Sequence, residues 1–246
     1  NEADQDSVGW SNLVLGYSMD ITASAVGRLL ESVRLIDSTI KVFQPCSAMM
    51  FGDAATIGPT SPFGQDENTP FHPQSPYGCA KVAAYHLARH YREQHGMFVS
   101  TAILYNHDSP RRSEEYLLHK ICKSVVRIKR GDQTMLALGN LDGQVEIGFA
   151  ADYMQAAHGM MQLDDPGDFV IGNGMPSTVG YWAEMAFQEV GLNSANRIEV
   201  GPEFFKPLAK GVLRANYSKA RQIFGYQPQT TSRSLIKLLI RHAEQH

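Results

Sequence analysis

The stretch SPYGCAK, residues 75–81, lies between two short apolar runs, IKVFQPCS (40–47) and FVSTAILYN (98–106). Both runs are rich in β-branched and aromatic residues, the pattern of a strand covered on both faces. Between them, Pro76 suits the first turn of a helix, and Gly96 is a natural stop for it. Strand, helix and strand in this order predict a parallel pair joined by a crossover helix. The first strand is expected to end at Pro45, which has no N–H for a ladder.

The alternation extends on both sides. Ile21, Ala25, Val26, Leu29, Leu30, Val33 and Ile36 recur at helical spacing, opposite Arg28, Glu31 and Arg34, so 21–36 reads as an amphipathic helix. Downstream, a helix is expected from about Glu114 to Gly131. TMLALG (134–139) follows as a short strand, and AADYMQAAHGMMQL (150–163) as a helix that DDPGD ends. DFVIG (168–172) is a further strand, and Ser177 is the expected cap of a helix that stops at Gly191. Two more helices share the last 30 or so residues, split by GYQPQTTS (225–232). There is no internal repeat and no low-complexity tract.

A chain of 246 residues with 43% hydrophobic content has enough apolar material for a real core. The net charge is -3 and its cations are scattered, which gives no electrostatic footprint for nucleic acid or an anionic membrane. Cys46, Cys79 and Cys122 are odd in number and far apart, which argues against a disulfide framework. A reducing compartment, cytoplasm or organellar matrix rather than the secreted space, is the expected location. No apolar run is long enough to span a bilayer. Nine histidines occur without HExxH or a Cys/His zinc-finger spacing, so no metal is expected.

Tyr77 and Lys81 stand one helical turn apart, so phenol and ammonium can share one face. A nearby cation stabilises phenolate and is expected to lower the tyrosine from its usual value of about 10, giving a proton-transfer group near neutrality. The spacing alone is weak, since such pairs arise by chance in many helices. Its setting is stronger. Ser47 falls at the carboxyl end of the first strand and Asn106 and His107 at that of the next, where open parallel sheets bind ligands. Arg111 and Arg112, in the loop that follows, form a fork suited to phosphate or carboxylate.

ENTPFHPQSPYGCAK (67–81), LYNHDSPRR (104–112), LHKI (118–121) with SV (124–125), LGNLDG (138–143) and DFVIGNG (168–174) together resemble the GDP-mannose 4,6-dehydratase family. These are extended short-chain dehydrogenases/reductases that act on a nucleotide sugar with NADP. The resemblance implies an α/β fold, an incomplete doubly wound (Rossmann-like) parallel sheet with a small C-terminal α/β substrate lobe. Residues 1–110 would be the C-terminal half of the Rossmann-like domain, and 111–246 a mixed substrate-lobe region with returning Rossmann elements. It also implies that Ser47 takes the family's hydroxyl position, Tyr77 the base and Lys81 its electrostatic and ribose partner. Tyr17, Lys81, His107 and Arg112 would contact the cofactor, and Asn106, Lys120, Asn140 and Lys206 the GDP-sugar. The paired arginines of the family reach toward a neighbouring subunit, which implies an oligomer.

Three departures set this chain apart from that pattern. CSAMMFG (46–52) puts Met49 at the family's glutamate position, and a thioether neither gives nor takes the proton that elimination requires. Gln144 and Val145 replace a lysine and arginine that meet the substrate diphosphate. KPLAK (206–210) keeps a cation at Lys206 but has Ala209 for a glutamate. Each lost hydrogen bond to a charged group is worth about 1.5–3 kcal/mol. Finally, neither GWSNLVLG (9–16) nor GQVEIG (143–148) supplies the glycine-rich turn that cradles a pyrophosphate. Aligned to the family, Asn1 falls near the end of its fourth strand, so the strand at 41–46 is expected to border an open sheet edge that a partner covers. The expected function is a catalytically inactive family member acting as a structural or accessory subunit, with NADP binding reduced or lost. The alternative is an active NADP-dependent dehydratase, reductase or epimerase whose cofactor-binding half is supplied elsewhere.

Overall fold

The computed structural model describes residues 1, 4–52, 64–201 and 211–245. Two short helices, α1 (Val8–Ser11) and α2 (Leu15–Met19), lead through a π-helical turn (Asp20–Ser24) into α3 (Ala25–Ile36). The helix expected from Ile21 therefore begins about a turn and a half earlier. Val26 and Leu30 are the residues it buries.

Strand β1 (Val42–Ser47), helix α4 (Pro76–His95) and strand β2 (Val99–Leu104) form the expected crossover unit. The strands run parallel, from Val42 beside Val99 to Ser47 beside Leu104. Helix α4 starts as its sequence dictates: Ser75 accepts a hydrogen bond from the Gly78 N–H, Pro76 occupies the first turn, and Gly96 closes the helix in the left-handed conformation. The strand does not end at Pro45 but passes through it to Ser47. Val42 N donates to Phe98 O, whereas the carbonyls of Phe43 and Pro45 accept from the Asn1 nitrogen and from Lys81. Alternate residues thus turn their backbone away from β2, and the missing proline N–H falls on that side, where it costs the β1–β2 ladder nothing. Among the described residues, β2 is the only strand paired with β1.

After β2 come β3 (Asn106–Asp108), α5 (Leu117–Arg130), β4 (Leu136–Leu138), β5 (Gln144–Val145), β6 (Ile147–Phe149) and α6 (Ala150–Met161). Helix α5 begins at Leu117 and not at Glu114, because the backbone is still extended at Tyr116, its N-cap. Strand β7 (Asp168–Ile171) returns to the sheet and pairs parallel with β2, giving the order β1-β2-β7 with a fully buried β2 in the centre. The chain ends with β8 (Ser177–Thr178), α7 (Val179–Glu189), β9 (Ile198–Val200), α8 (Ser218–Phe224) and α9 (Ser232–Gln245). Thr178, not Ser177, caps α7 by accepting from Tyr181 N, while Ser177 is taken into a short antiparallel pair with Val145.

Three packed clusters hold these elements. Val26, Leu30, Ala84 and Ala88 seal α3 and α4 against Val42 and Val99. Tyr153, Ala156 and Met160 of α6, with Ala220 of α8, pack with Ala102, Ile103 and Phe169 of the sheet. Trp182, Phe187, Leu239 and Ile121 centre a third cluster among α5, α7 and α9. The architecture is α/β with an incomplete Rossmann-like parallel sheet, as the resemblance implies. No described helix is long and apolar enough to cross a membrane.

Candidate functional site

Ser47 ends β1, and its hydroxyl accepts a hydrogen bond from Met49 N at 3.2 Å, which starts the short turn Ala48–Met50. Tyr77 enters from the first turn of α4, almost fully buried, with its N–H donated to the Ser11 hydroxyl at 3.2 Å. The Ser47 side chain lies close enough to its phenol to favour the ionised form slightly. One turn on, Lys81 places its ammonium 5.6 Å from the Tyr77 ring centre and 3.0 Å from the Pro45 carbonyl. Gly78 makes this fit possible: a Cβ there would stand 2.8 Å from Met49 O and 2.9 Å from the Pro73 side chain. Strand end and helix start thus meet where the sequence places them.

The electrostatics differ from expectation. Burial pushes the Tyr77 phenol up to about 12, and Lys81, which acts in the opposite direction, does not offset it. The phenol is a protonated group at neutral pH and not the lowered acid that the Tyr/Lys spacing predicts. Burial also works against the Lys81 charge but is outweighed by Tyr77 and by Asp4, so that the ammonium is held above its usual range. Asp4 lies 2.7 Å from Lys81 Nζ and accepts a second hydrogen bond from Thr22 at 2.6 Å.

Arg112 stacks 3.5 Å over the Tyr116 ring, and its guanidinium lies 3.0 Å from Asp6, which also accepts from the Tyr116 hydroxyl. His107 is half-buried, bonded through Nδ1 to Tyr105 O and packed on the Tyr153 ring at 4.9 Å. Burial lowers its pKa, and Arg112 and Asp6 are close enough to bias it. Ser47, Tyr77, Lys81, His107 and Arg112 are therefore drawn into one neighbourhood with Asp4 and Asp6. The sequence reading missed both aspartates, since they sit in a polar segment ahead of any periodic element.

The other expected residues stand apart from this group in the contacts they make. Tyr17 is 56% exposed on α2. Asn106 is exposed on β3, Lys120 is half-buried on α5, and the Asn140 side chain closes its own loop by accepting from Asp142 N. Lys206 and Ala209 lie outside the described residues. Gln144 and Val145 form β5. His86 and His90, four residues apart on α4, have a two-point chelating spacing that the expectation of no metal overlooked. Among the described residues, however, no three His, Cys, Asp or Glu side chains converge as a metal site.

A parallel Rossmann-like sheet with serine, tyrosine and lysine gathered at the carboxyl end of its strands defines the extended short-chain dehydrogenase/reductase class. A family model described as GDP-mannose 4,6 dehydratase matches residues 4–239, and the chain belongs to that family. It is 38% identical over 244 residues to GDP-mannose 4,6 dehydratase 2 of Arabidopsis thaliana, covering 98% of this chain and 64% of the relative. The Homo sapiens enzyme is 32% identical over 248 residues, covering 93% and 64%. The chain thus spans a little under two thirds of the length of these relatives. The fold matches RMD from Pseudomonas aeruginosa complexed with NADPH at a TM-score of 0.87 and 17% identity, over 99% of this chain and 80% of that one. It also matches the UDP-glucose 4-epimerase of Thermotoga maritima at 0.84 and 19%, over 98% and 74%.

Lys81 and Arg112, the two cations expected on the cofactor side, are paired with Asp4 and Asp6. The sequence given carries no glycine-rich pattern of the kind that cradles a pyrophosphate.

Proposed function

We propose that this chain is a catalytically silent member of the GDP-mannose 4,6-dehydratase family, retained as a structural or accessory subunit of a larger assembly. The observation that carries the reading is the state of the Tyr77 site. Its phenol is buried and raised to about 12, its lysine is held by Asp4, and the neighbouring turn presents Met49 where elimination requires a carboxylate. A protonated tyrosine can donate a hydrogen bond to a sugar hydroxyl or carbonyl, but it can accept a proton only after losing its own. Met49 supplies neither half of a proton transfer. What these residues do well is hold: Ser47 starts the turn at Met49, Gly78 admits the close approach, and Lys81 ties the helix to the Pro45 carbonyl. The side of β1 turned away from β2, where Asn1 already bonds to the Phe43 carbonyl, together with Leu35 and Ile36 exposed at the end of α3, offers a place for the remainder of a nucleotide-binding sheet, on this polypeptide or another.

The nearness of Ser47, Tyr77 and Lys81 favours a second reading, an NADP-dependent dehydratase, reductase or epimerase acting on a nucleotide sugar and completed by a cofactor-binding half from further sequence or another chain. The two are separated by assaying the full-length protein for 4-keto-sugar formation from GDP-mannose with added NADP, with Tyr77→Phe as control. Silence in both proteins is the expected result. Turnover that vanishes in Tyr77→Phe overturns the silent reading.

A further inference from the structure

Asp4 and Asp6 flank Gln5 in the irregular segment ahead of α1, and their carboxylates meet Lys81 and Arg112 while the Gln5 side chain bonds to Ser18. Gln5 is buried and anchored: its side-chain oxygen accepts from the Ser18 hydroxyl at 3.1 Å, and its backbone N–H points to Thr22 at 3.4 Å. Thr22 lies in the π-helical turn and donates to Asp4. The segment is thus pinned to the helix, and its two carboxylates are delivered to the two cations of the site. Asp4 meets Lys81, whose side chain is only 3% exposed, at 2.7 Å, and Asp6 meets Arg112 at 3.0 Å.

We propose that Asp4 and Asp6 are internal counter-ions that keep Lys81 and Arg112 from dinucleotide phosphates, standing in place of the ribose and phosphate groups those cations would otherwise receive. The inference rests on the family reading of Lys81 and Arg112 as cofactor-side residues and extends it to the ligand's charge. With both pairs formed, these four side chains sum to zero charge, and an incoming phosphate meets two carboxylates before it meets a free cation. A ligand that displaces Asp4 must also replace its contact to Lys81, because an ammionium this buried is costly to leave unpaired.

The test is a fluorescence titration of NADPH into the full-length protein as wild type, Asp4→Asn, Asp6→Asn and Glu93→Gln. The last variant removes the same charge from a pair with Arg89 on the exposed face of α4. The expected result is an NADPH Kd at least roughly tenfold lower in Asp6→Asn, with a steeper dependence on salt, and no change in Glu93→Gln. Asp4→Asn should behave likewise where circular dichroism shows it folded, and the more exposed Asp6 pair keeps the comparison readable if Asp4→Asn does not fold. A Kd that is unchanged or weaker in Asp6→Asn, binding detected in no variant, or an equal gain in Glu93→Gln overturns the proposal. GDP-mannose turnover by the wild type would defeat the silent reading while leaving this comparison of affinities intact.

Discussion

Gly78 shows how a single residue sets the site. Its α-carbon must lie against the Met49 carbonyl for the start of α4 to approach the end of β1, and the space for a methyl group is already filled by backbone. Gly78→Ala is therefore expected to destabilise the protein by about 1–3 kcal/mol, as overpacking does, despite alanine's better helix propensity. Urea unfolding measures it, and a neutral or stabilising result would mean that the turn moves aside freely. At the same scale, SPYGCAK was legible as a helix start bearing a Tyr/Lys pair, but the protonation of that pair was not. Spacing reports which groups can meet, whereas the phenol's value depends on the water removed around it and on a carboxylate brought in from 73 residues upstream.

Among the elements, β7 carries the strongest internal anchor. Asp168 receives Arg92 through two hydrogen bonds at 2.8 and 2.7 Å, Thr101 at 2.6 Å and Tyr85 at 3.0 Å, tying α4 and β2 to the returning strand. Burial by itself would raise this carboxyl, and the hydrogen bonds together with the Arg92 charge reverse that, leaving it below the ordinary range. A folded-state value below the unfolded one of about 3.9 means that the stabilisation is fully present above that pH and is lost as pH falls through the folded value. Removing the charge in Asp168→Asn strands a mostly buried Arg92 and is expected to cost about 3–5 kcal/mol at neutral pH. Its loss of stability relative to wild type should shrink in acid, which thermal unfolding at neutral and strongly acidic pH checks. Thr178→Ala, which removes the cap of α7, is expected to cost about 1 kcal/mol by the same measurement.

At the scale of the whole molecule, the two tryptophans report on different parts. Trp182 is completely buried in the cluster of α5, α7 and α9, and Trp10 is 58% exposed on the short helix beside the Tyr77 site. Iodide is expected to quench only the Trp10 emission, so Trp10→Phe should abolish quenching without unfolding the protein. Quenching that persists in Trp10→Phe would show that the C-terminal cluster opens to solvent. Trp182→Ala is expected to remove about 3–5 kcal/mol of stability through the cavity it leaves.

The main elements β1, α4, β2, α5, α6 and β7 follow from the sequence because each carries its own signal, an apolar run, a helical stripe or a stop glycine that local sterics and burial enforce. The motif residues Ser47, Tyr77 and Lys81 could be placed at one end of a parallel sheet for the same reason. The strands of two and three residues at 106–108, 144–145, 177–178 and 198–200 have no period to read and exist only because a partner strand meets them. The pairing of Lys81 with Asp4 and of Arg112 with Asp6 belongs to the tertiary structure alone. Coulombic and desolvation energies depend on distances through space, and those distances are set only when the chain has folded.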